Sequence, residues 1–273
     1  MNDKYVAFLD ILGFKAWLSD NDMYDTNTYM KDYSKAFRET WDSEDTEGIF
    51  CYMVSDCAVL HTEDVDKKKL KKLIDLSIAI SKNLFSKTGI LIRGAICKGD
   101  FENITRSESL LNFNENIFTG KAYVDAFVLE EKAKVAGIAL SAEVSKDVQK
   151  YLMNYTTVEL KDYVLVRYFT IDYLLNEDVF EKFIELAVKA KWIPHYHNTV
   201  YLALYKNPEK KGIFDKIFNQ LEKTDKNKKG EQTKEFLCTA FVEEVDENYK
   251  KQLCTYLRKK ILDDTSTVEK PMD

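Results

Sequence analysis

Two aspartates occupy positions where a carboxylate has to be accounted for. Asp10 is the only polar residue in the run Tyr5-Val6-Ala7-Phe8-Leu9-Asp10-Ile11-Leu12, which ends at Gly13. Asp56 follows Ser55 where a second apolar stretch, residues 49–60, is interrupted. Left unpaired in an apolar strand, a carboxylate costs several kcal/mol, so each must find a cation or hydrogen-bond donors. One solution is local, with each Asp capping its own turn. The other is joint: side by side at one edge of a sheet, the pair would hold two divalent cations about 4 Å apart. That arrangement activates an attacking hydroxyl and stabilises a leaving pyrophosphate in phosphoryl transfer.

The surrounding periodicities supply elements to position them. Residues 5–12 read as a buried strand, and Met30, Tyr33, Phe37 and Trp41 mark one face of a helix over 22–42. A hairpin turning at Ser55-Asp56 and a helix over 66–86 follow, then a strand over 89–98, a turn, and a polar loop to about 116. Gly120 opens a helix to about 134. A strand over 137–140 leads through Ser141, a good N-cap with Glu143 in the first turn, into a helix ending near 152. Two strands close the unit between 157 and 173. The order βαββαβ with a further αβ is that of an α+β, ferredoxin-like palm, an antiparallel sheet with helices on one face. After about 175 the pattern is helical, over 177–192, 196–222 in pieces and 233–262. We therefore expect a domain over 1–175 and a helical C-terminal extension over 176–273. Residues 222–234 hold five lysines and no large apolar side chain, and read as a solvated loop.

The chain has 273 residues, 45% hydrophobic and 32% charged, with only 9 Gly and 3 Pro, which excludes collagen-like and wholly disordered classes. Its net charge of -6 argues against a nucleic-acid-coating protein. An acidic ligand would have to be met by a local arrangement or by metal. Five cysteines, odd in number and without a CxxC pair, indicate neither a disulfide framework nor zinc. The first residues are too acidic and their apolar run too short for a signal peptide or membrane span, so a cytoplasmic protein is expected. His195 and His197, at i and i+2, do not share a helical face, and the Trp192 segment reads as a packing corner.

Four segments in order resemble the class III nucleotidyl cyclase catalytic domain. Phe8-Leu9-Asp10-Ile11-Leu12-Gly13-Phe14 looks like its opening motif, and Ser55-Asp56 stands where that family has Gly-Asp. Arg93-Gly94-Ala95-Ile96-Cys97-Lys98-Gly99 is similar to its Arg-x-Gly-x-His-x-Gly strand, and residues 120–130 share Gly120, Ala126, Leu129 and Glu130 with its helix. The resemblance implies that Asp10, Asp56 and the Ile11 carbonyl bind two divalent ions, Mn²⁺ or Mg²⁺. It implies too that Gly13 and Phe14 hold the nucleotide's phosphates through backbone N–H groups.

The departures carry information about substrate. Where purine-using members place a base-reading Lys, four residues before the second Asp, this chain has Tyr52, and where they place an Asp, Cys or Thr before the helix glycine it has Ile117. A Tyr in the Lys position resembles the pyrimidine cyclases of bacterial Pycsar anti-phage systems, and a phenol can stack on or hydrogen-bond a smaller base. The helix Asn and Arg that stabilise the transition state align with Val124 and Val128. Arg93 is then the nearest replacement, with Lys98 and Lys121 behind it, and Lys161 or Arg167 stands near the family's phosphate-binding Lys.

What the resemblance implies is a cyclase that converts UTP or CTP to the 3′,5′-cyclic monophosphate and pyrophosphate. The product would be a second messenger read by a separate cyclic-nucleotide-sensing effector in defence against phage. It further implies a head-to-tail homodimer whose sites combine carboxylates of one chain with Tyr52 and Ile117 of the other. The rival is a catalytically silent, cyclase-like subunit that binds a nucleotide or a partner.

Overall fold

A computed structural model of the chain describes residues 2–15, 18, 22–105, 116–133, 135–160 and 162–170, with isolated positions beyond. The chain divides into two compact units, Met1–Tyr168 and Phe169–Asp273. The described residues of the second are few: Phe169 and Phe183 pack there with ring centroids 5.4 Å apart. Of the helices expected over 177–262, only isolated residues are described, among them Asp178, Val179, Phe183, Thr199 and Ala203, all helical; the 222–234 loop, Trp192, His195, His197 and Lys161 lie outside the described residues.

The first unit is built on a sheet of seven strands: β1 (Asp3–Ile11), β2 (Ile49–Val54), β3 (Cys57–Thr62), β4 (Ile92–Asp100), β7 (Ile138–Leu140), β8 (Thr157–Glu159) and β9 (Val164–Val166). Their spatial order is β2-β3-β1-β4-β7-β9-β8. A short ribbon of β5 (Glu102–Thr105) and β6 (Asn116–Thr119) stands apart. The helices are α1 (Met23–Ser43), α2 (Lys67–Thr88), α3 (Lys121–Lys132) and α4 (Ala142–Lys150). The first four strands with α1 and α2 form the βαββαβ palm that the sequence predicts, with β1 and β3 central.

Local chemistry starts the helices where expected. Asp22 accepts from Asp25 N–H at 2.9 Å, Asp66 from Lys68 N–H at 2.7 Å, and Ser141 from Val144 N–H at 3.4 Å. β1 is apolar throughout its middle because both of its faces are covered. Its odd residues, Tyr5, Ala7, Leu9 and Ile11, join Phe37 of α1 and Leu73 of α2 in the larger core. Its even residues, Val6 and Phe8, join Val59, Cys97, Phe101, Ala122 and Ala126 beneath α3.

Three expectations need correction. Helices cover both faces of the sheet, not one, because Ala122 and Ala126 give α3 an apolar stripe that buries on the face opposite α1 and α2. The sheet is mixed, since β4 and β7 run parallel, joined by the α3 crossover. The turn and polar loop expected between β4 and residue 116 contain a strand, β5, which pairs with β6 with Ile104 opposite Ile117. No helix among the described residues is long and apolar enough to cross a membrane.

Candidate active site

The alternation along β1 decides where Asp10 goes. Sharing parity with Val6 and Phe8, it lies on the α3 face at the strand's C-terminal end, in register with Cys57 on one side and Arg93 on the other. β2 and β3 turn through Ser55, whose φ is +55°, and Asp56, which is half-buried. The Ile11 N–H donates to the Asp56 carbonyl at 3.2 Å, so the β1 end and the hairpin turn are tied together. The two aspartates expected to cooperate therefore occupy neighbouring strand ends.

Arg93 is the cation that Asp10 requires. Its Nη2 donates to Asp10 Oδ2 at 3.3 Å, while its Nε forms an ion pair with Glu130 Oε1 of α3. The side chains of Asp10 and Arg93 are 20% and 18% exposed, and that of Glu130 only 2%. Burial raises the Asp10 carboxyl above its usual range; Arg93 pulls it down and Asp56 pushes it up again, leaving it raised. Burial also pushes Glu130 up, to about 8, against the pull of Arg93.

What sequence reasoning missed is the role of Glu130, which the resemblance marks only as a residue shared with the family's helix. Its place four residues after Ala126 on the buried stripe could have pointed to a buried partner. Of the bases considered behind Arg93, Lys98 is otherwise engaged. Lys98 Nζ donates to Asp147 of α4 at 2.8 Å, and Asp147 also accepts from Tyr5 O–H at 2.7 Å. The Lys121 backbone N–H donates to Asp100 Oδ1 at 3.1 Å, fixing the first turn of α3. The Arg167 N–H donates to the Thr156 carbonyl at 2.9 Å beyond β9.

Gly13 has a φ of +84°, and a Cβ there would meet nothing within 4 Å. Its glycine serves the left-handed turn, not a close packing contact. Phe14 follows as a helical residue, buried and stacked on Tyr29 at 6.1 Å, while the Leu12 N–H is committed to the Leu91 carbonyl at 2.8 Å. At Gly120 the demand is spatial, since a Cβ would lie 2.2 Å from the Asp100 carbonyl oxygen.

Tyr52 sits on edge strand β2 in an aromatic cluster. It is edge-on to Phe118 at 5.2 Å and near-parallel to His61 at 6.0 Å. The neighbouring Ile117 is 40% exposed on the ribbon. Val124 and Val128 also face outward from α3, 55% and 43% exposed. The described cysteines are free; burial pushes Cys51 and Cys97 up to about 12 and Cys57 to about 11, which keeps them as thiols.

Metal is chemically compatible with the Asp10 end of the sheet. The donors expected there, the Asp10 and Asp56 carboxylates and the Ile11 carbonyl, are all oxygen, which suits Mg²⁺ or Mn²⁺ and not zinc. Among the described residues no group of three or more His, Cys, Asp or Glu is placed to hold an ion. The set fits an ion that completes its shell with water and a ligand's phosphates, as Mg²⁺ commonly does.

No protein-family model matches the chain, and no curated protein matches it. Solved structures do. One is the catalytic core of a rhodopsin-guanylyl cyclase with converted specificity in complex with ATPalphaS, at 14% identity over 60% of this chain and 95% of that one, TM-score 0.47. A second is the non-canonical dimeric guanylyl cyclase domain of the RhoGC fusion protein from the aquatic fungus Blastocladiella emersonii, at 16% identity over 61% and 96%, TM-score 0.47. A third is the adenylyl cyclase CyaB from P. aeruginosa, at 15% identity over 60% and 93%, TM-score 0.46.

Proposed function

We propose that the chain is a nucleotide cyclase of the class III kind, acting on a pyrimidine nucleoside triphosphate to give the 3′,5′-cyclic monophosphate and pyrophosphate. The observation that carries this reading is the meeting of Asp10 and Asp56 at tied strand ends, with Arg93 against Asp10. Asp10, Asp56 and the Ile11 carbonyl would hold the divalent ions, which when bound supply Lewis-acid activation of the ribose 3′-hydroxyl and charge neutralisation on the leaving pyrophosphate.

The chain's own residues do the rest. At the left-handed turn of Gly13, the Gly13 and Phe14 backbone N–H groups would hold phosphate oxygens. Arg93, held by Glu130, keeps a guanidinium beside the reacting phosphorus and takes the role left vacant at Val128. Lys161 is the further phosphate contact. Tyr52 and Ile117 replace the polar groups that would read a purine, and Tyr52 offers a ring and a hydroxyl to a pyrimidine. The exposed apolar residues Val124, Phe127 and Val128 of α3, with Met53 and Val54 at the end of β2, suit a second copy that brings its Tyr52 and Ile117 to these carboxylates. The cyclic product would act as a messenger for a separate sensing effector, with anti-phage defence as the setting, inside the cytoplasm.

The test is incubation of the protein with each ribonucleoside triphosphate and Mn²⁺ or Mg²⁺, with products resolved by mass and Asp56→Ala as control. A second reading, a catalytically silent nucleotide-binding subunit, is favoured by Val124 and Val128 standing where cyclases carry Asn and Arg. It predicts nucleotide binding without product.

A further inference from the structure

His61 is buried, 4% exposed, and its chemistry is half-used. It sits on β3 in register with Phe50 of β2 and Val6 of β1, on the α3 face of the sheet. Phe50 stacks on it at 5.0 Å and 19°, Tyr52 lies near-parallel at 6.0 Å and 11°, and Phe101 tilts against it at 4.7 Å. Nδ1 is 2.9 Å from the Thr62 carbonyl. A carbonyl only accepts, so the hydrogen is on Nδ1 and the other nitrogen, Nε2, presents a lone pair. That lone pair has no partner among the described residues. A buried polar atom without a partner is costly, and such atoms mark places where a structure awaits one.

We propose that His61 Nε2 is a specificity-determining acceptor beside Tyr52, taking the ring N–H of a uracil base. This rests on the reading of the chain as a pyrimidine cyclase. Uracil carries a hydrogen on N3, whereas cytosine presents a lone pair there, so an acceptor fixed in this tautomer welcomes the first and repels the second. The surroundings hold the ring neutral: burial lowers its proton affinity, the Thr62 carbonyl opposes that, and Lys4 lowers it further. Phe101, which is buried, tilts against the ring, and the rest of its aromatic cover comes from β2, the edge strand of the sheet, whose Phe50 is 45% exposed and whose Tyr52 is half-buried. In this proposal Phe50 and Tyr52 turn aside to admit the base to Nε2. Tyr52 thus has two tasks, to stack on the base and to uncover its reader.

The experiment compares kcat/KM for UTP and CTP in the wild type, His61→Phe and His61→Gln, with thermal melts as a check on folding. Wild type is expected to favour UTP. His61→Phe, which keeps the aromatic stack but has no lone pair, should lower the UTP-to-CTP ratio about tenfold, chiefly through the UTP term. His61→Gln, which places an amide oxygen near the Nε2 position, should retain more of the ratio. In the wild type, 3-methyl-UTP, which lacks the N–H, should be a poor substrate while 5-methyl-UTP, of equal bulk, is turned over; this arm stands even if His61→Phe does not fold. A wild type that prefers CTP, a ratio unchanged in His61→Phe, or equal use of the two methylated nucleotides overturns the inference and leaves the cyclase reading intact. Absence of product from every triphosphate overturns both.

Discussion

Glu130, on the helix crossing one face of the sheet, forms an ion pair with Arg93 on the strand beneath, and the same guanidinium reaches Asp10 at 3.3 Å. One buried cation thus serves two carboxylates from different elements. Removing one partner of such a group leaves charge uncompensated, which typically costs about 3–5 kcal/mol, whereas replacing charges together by apolar groups is far less costly. Arg93→Met should therefore destabilise the chain by about 3 kcal/mol. In urea unfolding above a pH of about 8, where Glu130 is charged, Arg93→Met combined with Glu130→Leu should recover part of that loss. Additive losses in the double variant would show that the two side chains do not interact.

The sign of the pH dependence follows from Glu130. Burial lifts its carboxyl from 4.5 to about 8, so between those values the folded chain holds a proton that the unfolded chain has released. Its stabilising contribution is complete below the lower value and is lost as pH rises through the higher one. Measured without divalent metal, the urea midpoint of the wild type should fall relative to Glu130→Gln as pH goes from about 5 to about 8. A difference that stays constant across that window would contradict the assignment.

Gly13 and Gly120 should respond differently to alanine. At Gly13 a Cβ meets open space, and only the left-handed φ of +84° is penalised, by about 1–2 kcal/mol. At Gly120 the Cβ would collide with the Asp100 carbonyl oxygen, and moving that backbone disturbs the start of α3. Gly120→Ala should cost clearly more stability than Gly13→Ala, as read in denaturant midpoints.

If the sites are shared between two copies, Asp56→Ala and Tyr52→Ala inactivate different halves. Each variant alone should be inactive, and a mixture should regain up to about a quarter of wild-type turnover by random pairing. Mixtures that stay inactive at concentrations where the chain self-associates would contradict a shared site.

The palm was legible in the sequence because its signals are local. The apolar run at 5–12, the i, i+3 and i+4 spacing through Met30, Tyr33 and Phe37, and the cap at Ser141 each act within a few residues. The face that α3 covers was not legible, since Ala122 and Ala126 do not reveal which side of the sheet they bury against. The proximity of Asp10 and Asp56 was readable through the resemblance and through the cost of a lone buried carboxylate. The pairing of the third carboxylate was not: Glu130, marked by the resemblance only as a shared residue, meets Arg93 only when α3 lies over β4. The β5–β6 ribbon was missed because its strands are four residues each, too short for alternation to stand out.

The most direct test of the account is a competition. Equal amounts of ATP, GTP, CTP and UTP are mixed with the protein and Mn²⁺, and the cyclic monophosphates are identified by mass, with Asp10→Ala and Asp56→Ala in parallel. The account predicts cyclic UMP as the main product from the wild type and none from either variant. Cyclic purine as the main product would contradict the reading of Tyr52 and Ile117, and no cyclic product at any protein concentration would contradict the cyclase itself.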